Sequence, residues 1–309
     1  MNWCDIDAFP LGLGTSKLCS VNGGVSASFA TYLLESAFEE GIRFFDTAPS
    51  YGQGQAEEAI GRLNPRVRNQ AFVCSKIGYS YGRSAAVINA LKPILRPAAS
   101  LGPFLRKLAR HSRAKVQQQG SISVEMRPAT IRTSLSGTLK RLRRDAVDVL
   151  LLHDASMNSL TAENSEALES LAKEGLIHRW GVSTSDAAVA HRAIGLKDLG
   201  VLEVPVHATW ADGAGDLLAK CRERGIDVIA NGVLSALHET DKTHSVQSQS
   251  DRSVEGCFEF ALHQPAVRVV LCGTTDSAHL RANVRAMRNL VSSQGKGINR
   301  GYDPRHFEA

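Results

Sequence analysis

A (β/α)8 barrel, the TIM-barrel form of the α/β class, is the fold this sequence predicts. Three observations predict it. Eight short apolar or β-branched runs alternate with eight longer segments of helical period. Glycines stand where several of those segments should stop, just ahead of the next run. The 309 residues, 43% of them hydrophobic, match one barrel of this kind and do not require two domains.

In chain order, strands are expected at Leu11–Gly14, Ile42–Asp46, Ala71–Lys76, Val147–His153, His178–Val182, Leu202–Ala208, Ile226–Ala230 and Val267–Cys272. Helices are expected near Ser26–Glu40, Gln55–Leu63, Pro128–Leu142, Asn164–Glu174, Asp186–Leu199, Asp212–Arg224, Asp251–His263 and Ser277–Leu290. Ser26 and Asp186 suit N-caps, because a short side-chain oxygen can accept from the first-turn amides. Gly41, Gly175, Gly200 and Gly225 suit helix ends. Alternation of this kind implies parallel strands joined by crossovers, and closure into a barrel removes the sheet edges. An open dinucleotide-binding sheet is the competitor. It needs a third glycine after the first strand, and "LGLGTSKLCS" offers only Gly12 and Gly14.

Residues 1–309 therefore read as one barrel domain with two long connections, a basic loop at 78–124 and a polar loop at 231–250. In the first, Phe104 to Gln117 has the pattern of a basic helix, and the tail "QQQGSIS" reads as flexible. From Ala59 to Val124 there is no Asp or Glu and a charge of +12, which leaves −7 for the rest of a chain of net charge +5. The basic loop leaves the third strand beside Lys76 and is expected to act as a lid. Nucleic-acid binding through it is not expected, because the segment has no recognition motif and few aromatics.

No apolar run approaches the roughly 20 residues of a membrane span, so no membrane partner is expected. The N-terminus, with Asp5 and Asp7, lacks a basic leader. The six cysteines are scattered without a C-x-x-C pair, which argues against zinc or a disulfide framework and for a reducing cytoplasm.

Catalytic groups in a barrel gather at the C-terminal ends of the strands. There the second strand ends in Asp46 with Tyr51 just beyond, the third in Lys76, and the fourth in His153 and Asp154. Each residue has a structural explanation taken singly: a cap, a snorkelling lysine, a core histidine. Together they are chemically coherent. Lys76 paired with Asp46 would lower the pKa of Tyr51 by favouring the phenolate, and His153 would hydrogen-bond a carbonyl oxygen. The set suits carbonyl/alcohol interconversion and contains no metal cluster.

The stretch "GIRFFDTAPSYGQGQAEEAIG", Gly41 to Gly61, closely resembles the signature of the aldo-keto reductase superfamily, with Glu57 or Glu58 and Gly61 completing it. Lys76 and His153 stand where that family keeps its other catalytic groups. "GLIHRWGVST" and "VVLCGTTDSAHLRANV" resemble its fifth-strand and phosphate-binding motifs. The resemblance implies an NAD(P)H-dependent oxidoreductase acting on a small carbonyl or alcohol, with Tyr51 moving the proton.

The same resemblance assigns a cofactor set that includes Asp46. Ser183 and Thr184, with Glu203 in place of the family's Gln, would hold the nicotinamide carboxamide. Val206 falls where a stacking aromatic is common. Gly273, Thr274 and Thr275 would meet phosphate at a helix N-terminus. Asn283 would contact adenine. Gly273 and His279 fall where a basic clamp for the 2′-phosphate is common, and Arg281 should point elsewhere. Thr15, Ser16, Asn231 and Gly232 would line the pocket. NADP(H) is expected ahead of NAD(H), by family habit. A cofactor-binding regulatory subunit with little turnover is the alternative. Substrate, direction of reaction and oligomeric state cannot be read from these residues.

Overall fold

The computed structural model describes residues 6–19, 25–81, 121–123, 126–207, 210–211, 214–237 and 253–293. The proposed basic helix and most of both long loops lie outside them. Eight parallel strands close into a barrel: β1 (Leu11–Gly14), β2 (Phe44–Asp46), β3 (Phe72–Ile77), β6 (Val147–Leu152), β7 (Ile177–Ser183), β8 (Val201–Pro205), β9 (Asp227–Asn231) and β10 (Val267–Cys272). Around the barrel the order is β1, β10, β9, β8, β7, β6, β3, β2. Two further short strands, β4 (Tyr79–Tyr81) and β5 (Ser121–Ser123), pair antiparallel outside it.

Among the described residues the helices are α1 (Ala27–Glu39), α2 (Gln55–Gly61), α3 (Pro65–Gln70), α4 (Pro128–Leu142), α5 (Ala162–Lys173), α6 (Ala187–Ala193), α7 (Leu217–Glu223), α8 (Val254–His263) and α9 (Ser277–Ser293). Ser26 and Asp186 cap α1 and α6 through their side chains, as expected. None of these helices is long and apolar enough to cross a membrane.

Several expectations need correction. Strand β2 starts at Phe44 and β8 stops at Pro205, both shorter than the apolar runs around them. Helix α6 ends at Ala193, well before Leu199, and α7 begins only at Leu217. Helix α3 was not foreseen, although Asn64 caps it and Pro65 opens it. The tail of the basic loop was expected to be flexible, yet Ser121–Ser123 pairs with Tyr79–Tyr81. Periodicity cannot reveal a three-residue strand whose partner lies 40 residues away in sequence.

Side chains on a strand alternate faces, so one parity points into the barrel. Its interior cluster includes Phe44, Phe72, Cys74, Val149, Leu151, Val201, Ile229, Val269 and Leu271, with Ile6. Phe44 and Phe72 stack at 5.2 Å between centroids. A second, larger cluster fills the layer between the strands and the helices. Gly12 is an interior position too: a Cβ there would meet Leu271, Phe44 and Val269 at 2.7 to 3.0 Å. Stepping two residues along each strand toward its C-terminal end leads to Gly14, Asp46, Lys76, His153, Ser183, Glu203, Asn231 and Gly273. Apolar packing thus gives way to polar groups at one end of the barrel, on a single parity.

Candidate active site

Asp46 and Lys76 come from neighbouring strands, and the Lys76 ammonium pairs directly with the Asp46 carboxylate. Both are buried, at 4% and 0% exposure. Lys76 Nζ also lies 3.2 Å from Glu203 Oε2, as an ion pair without hydrogen-bond geometry, and 3.4 Å from Tyr51 Oη. Glu203 Oε1 accepts from Ser183 Oγ at 3.3 Å and from Asn231 Nδ2 at 3.0 Å. Asp46, Cys74 and Glu203 place donor atoms within 4.8 Å of one another. The Lys76 ammonium already pairs with both carboxylates, so a protein cation supplies part of the charge compensation.

The loop carrying Tyr51 is shaped by three successive left-handed residues, Gly52, Gln53 and Gly54. Gly52 is required twice over, since its φ is +62° and a Cβ would fall 2.5 Å from Cys19 Cβ. The turn carries Tyr51 back over the strand ends, where its ring meets His153 edge-on at 5.7 Å between centroids. Tyr79, which sequence reasoning missed, packs edge-on against His153 at 5.1 Å and donates to Asp154 Oδ2 at 3.0 Å. It follows Lys76 closely in "KIGYSYG", a spacing that offers a signal only once the β4–β5 hairpin is known.

Electrostatics corrects one expectation. Burial raises the Tyr51 phenol above its ordinary value; Lys76 lowers it but does not prevail, while Asp46 and Glu203 add to the rise. Tyr51 is therefore neutral at physiological pH, not a phenolate. Burial and then Lys76 push His153 down to about 3, so the imidazole is neutral. Its Nδ1 is buried without a hydrogen-bond partner. Burial pulls Lys76 down, yet Asp46 and Glu203 together lift it well above its ordinary value. Asp46 is pushed up to about 7 by burial and by Glu203, against the pull of Lys76.

The expected cofactor residues divide. Ser183, Glu203 and Asn231 join the Asp46–Lys76 cluster, a set of hydroxyl, carboxylate and amide that suits a carboxamide, which both donates and accepts. Thr15 is fully buried, and its hydroxyl donates to the Asp46 carbonyl at 2.9 Å, so it braces β2 and does not line the pocket. Thr184 accepts from the Asp186 amide at 3.2 Å and donates to the Ala155 carbonyl at 3.4 Å, which commits its hydroxyl to the turn before α6. Val206 has no exposed surface, so no ring can stack on it. Ser16 and Gly232 are exposed.

At the other end of the set, Asp276 caps α9, accepting from Ala278 at 2.6 Å and His279 at 3.0 Å. Those backbone bonds, with the His279 amide foremost, lower its pKa. Thr274 Oγ1 in turn accepts from the Asp276 amide at 3.0 Å. Two first-turn amides are thus already occupied, which leaves Gly273 and Thr275 as the open part of this motif. A Cβ at Gly273 would meet only Gly14 O, at 3.7 Å. His279 and Arg281 are exposed, and Asn283 is buried against the Cys272 thiol.

Comparison with known proteins agrees with this geometry. A family model described as "Aldo/keto reductase family" matches residues 10–255. A D-threo-aldose 1-dehydrogenase from a Pseudomonas species is 26% identical over 256 residues, covering 81% of this chain and 70% of that protein. A holo-form aldo-keto reductase from Bacillus halodurans superposes with a TM-score of 0.67 at 18% identity, over 92% of this chain and 91% of that one. One from Klebsiella pneumoniae, in complex with NADPH, gives 0.63 at 20% identity, over 93% and 90%. The family match starts one residue before β1 and runs into α8, so it takes in every barrel strand but β10. The chain belongs to the aldo/keto reductase family, oxidoreductases that interconvert carbonyls and alcohols.

Proposed function

We propose that this protein interconverts a small hydroxylated carbonyl compound and its alcohol, with Tyr51 as proton donor and acceptor. The observation that carries the reading is the 3.4 Å contact between Lys76 Nζ and Tyr51 Oη at the open end of the barrel. When bound, a nicotinamide cofactor supplies or accepts the hydride. Tyr51 gives its phenolic proton to the carbonyl oxygen during reduction and takes a proton back during oxidation. Lys76 opposes the negative charge that develops on Tyr51 as the proton leaves. His153, neutral at working pH, offers an N–H to the same oxygen. Ser183, Asn231 and Glu203 would hold the carboxamide, and Gly273 and Thr275, beside the committed Thr274, would meet the phosphates.

The cofactor is NADP(H) ahead of NAD(H), a reading supported by the NADPH complex of the Klebsiella neighbour. The preference is modest, because Gly273 and exposed His279 occupy the expected clamp positions. A sugar-like substrate is supported by the aldose dehydrogenase relative. The reading includes a single domain over 1–309, no nucleic-acid partner and a cytoplasmic location. Free, buried Cys74, Cys221 and Cys272 support the last of these.

The test is nicotinamide absorbance against a panel of sugars, aldehydes, ketones and alcohols with both cofactors. Turnover with NADP(H), at a preference over NAD(H) below about a hundredfold, is expected. Cofactor binding without turnover anywhere in the panel would overturn the catalytic reading.

A further inference from the structure

The buried cluster holds more negative than positive charge. Asp46 and Glu203 both pair with Lys76, and among the described residues no second cation joins them within salt-bridge distance. Glu203 is 3% exposed, and its other contacts, Ser183 and Asn231, are neutral. A buried carboxylate without full compensation is costly and persists only where something offsets it. The phenol of Tyr51 and the Glu203 carboxylate each touch Lys76 Nζ, so they stand at most two contact lengths apart. A carbonyl carbon within reach of Tyr51 must also lie about 3–3.5 Å from the carbon that exchanges hydride with it. The cofactor ring therefore falls inside the field of this cluster.

That ring is a cation when oxidised and neutral when reduced. We propose that Glu203 supplies a surplus negative charge that makes the site select oxidised over reduced nicotinamide cofactor. The inference rests on the cofactor reading above. At about 8 Å and an effective dielectric of about 20, the interaction of two unit charges shifts a binding ratio roughly tenfold or more. The titratable groups facing Glu203 are Asp46, Tyr51, Cys74 and Lys76, from β2, β3 and the loop after β2. Of these, Asp46 is pushed up to about 7, so near neutrality the cluster holds a fractional proton. An arriving cation expels that proton and favours deprotonation of Tyr51, which oxidation requires; the neutral reduced ring does neither.

The test titrates NADP+ and NADPH into wild type and Glu203→Gln at about pH 8.5, above the Asp46 value. The expected result is that the Gln variant loses about tenfold of its preference for NADP+, equivalent to ~1.4 kcal/mol, while Glu203→Asp retains most of it. A folded Gln variant with an unchanged ratio overturns the inference alone. Failure of wild type to bind either nucleotide overturns the functional reading as well. A second measurement needs no variant. With an indicator dye near neutral pH, NADP+ binding should release more protons from wild type than NADPH binding. The 2′-phosphate is common to both nucleotides, so the difference reports the ring, and equal release overturns the inference.

Discussion

Lys76 Nζ sits between the carboxylates of Asp46 and Glu203, yet it also reaches the phenol of Tyr51 at 3.4 Å. One cation thus serves two anions and a proton donor, and the energetics of the site follow from that sharing. Replacing Tyr51 by Phe removes the donor and keeps the ring against His153. Turnover should fall by roughly 10² or more with little change in cofactor affinity. Single-turnover kinetics with titrated cofactor checks this, and a near-normal rate would refute the tyrosine mechanism.

Lys76→Met leaves Asp46 and Glu203 buried together without their counter-ion. Breaking a buried pair in this way costs about 3–5 kcal/mol, so urea unfolding should shift far toward lower denaturant. Turnover should collapse too, because nothing then opposes charge on Tyr51. Lys76→Met combined with Glu203→Gln should recover part of the stability and none of the turnover. Recovery of neither would mean that the carboxylates are not the source of the loss.

Glu57 and Glu58 adjoin in sequence and differ in what they hold. Glu57 is fully buried, accepting from Ser75 Oγ at 2.9 Å and Arg141 Nε at 2.6 Å, and so ties α2 to β3 and α4. Glu58 pairs with Arg62 in the open, with side chains 41% and 44% exposed. Glu57→Ala should cost about 3 kcal/mol, and Glu58→Ala less than about 0.5 kcal/mol. Thermal unfolding of the two variants decides it; similar losses would contradict the difference in burial.

His153 gives a pH signature with a definite sign. Its ordinary value is 6.5, and in the folded protein it is pushed down to about 3. Below 6.5 the unfolded chain takes a proton that the folded protein refuses. Stability is therefore lost as pH falls through that window, by at most about 1.4 kcal/mol per pH unit. Asp46 acts in the opposite sense. Pushed up from 3.8 to about 7, it holds a proton in the folded state alone between those values, so its contribution fades as pH rises. Comparing wild type with His153→Gln isolates the histidine: going from about pH 7.5 to about pH 5, the variant should lose at least about 1 kcal/mol less stability. Parallel curves would place the histidine in contact with solvent.

The sequence by itself determined the barrel and the residues at its mouth. Strand periodicity, the glycines before several strands and polar residues closing Ile42–Asp46, Ala71–Lys76 and Val147–His153 are local features, written within a few residues of one another. The pairing of Lys76 with Asp46 was also legible, because neighbouring parallel strands leave little choice of partner for two charges at the same end. What the tertiary structure alone decided is energetic and non-local. Glu57, not Glu58, is the signature acid that is buried, because Ser75 and Arg141 arrive from other elements. Gly61 beside it is obligatory, because a Cβ would lie 2.1 Å from Arg141 O. Thr15 and Thr184 resembled ligand contacts until their hydroxyls were found committed to backbone partners. The sequence suggested that Lys76 would bring the Tyr51 pKa down, whereas burial raised it. Desolvation depends on everything packed around a group, and Glu203, 127 residues from Lys76 along the chain, enters that balance only once the barrel has closed.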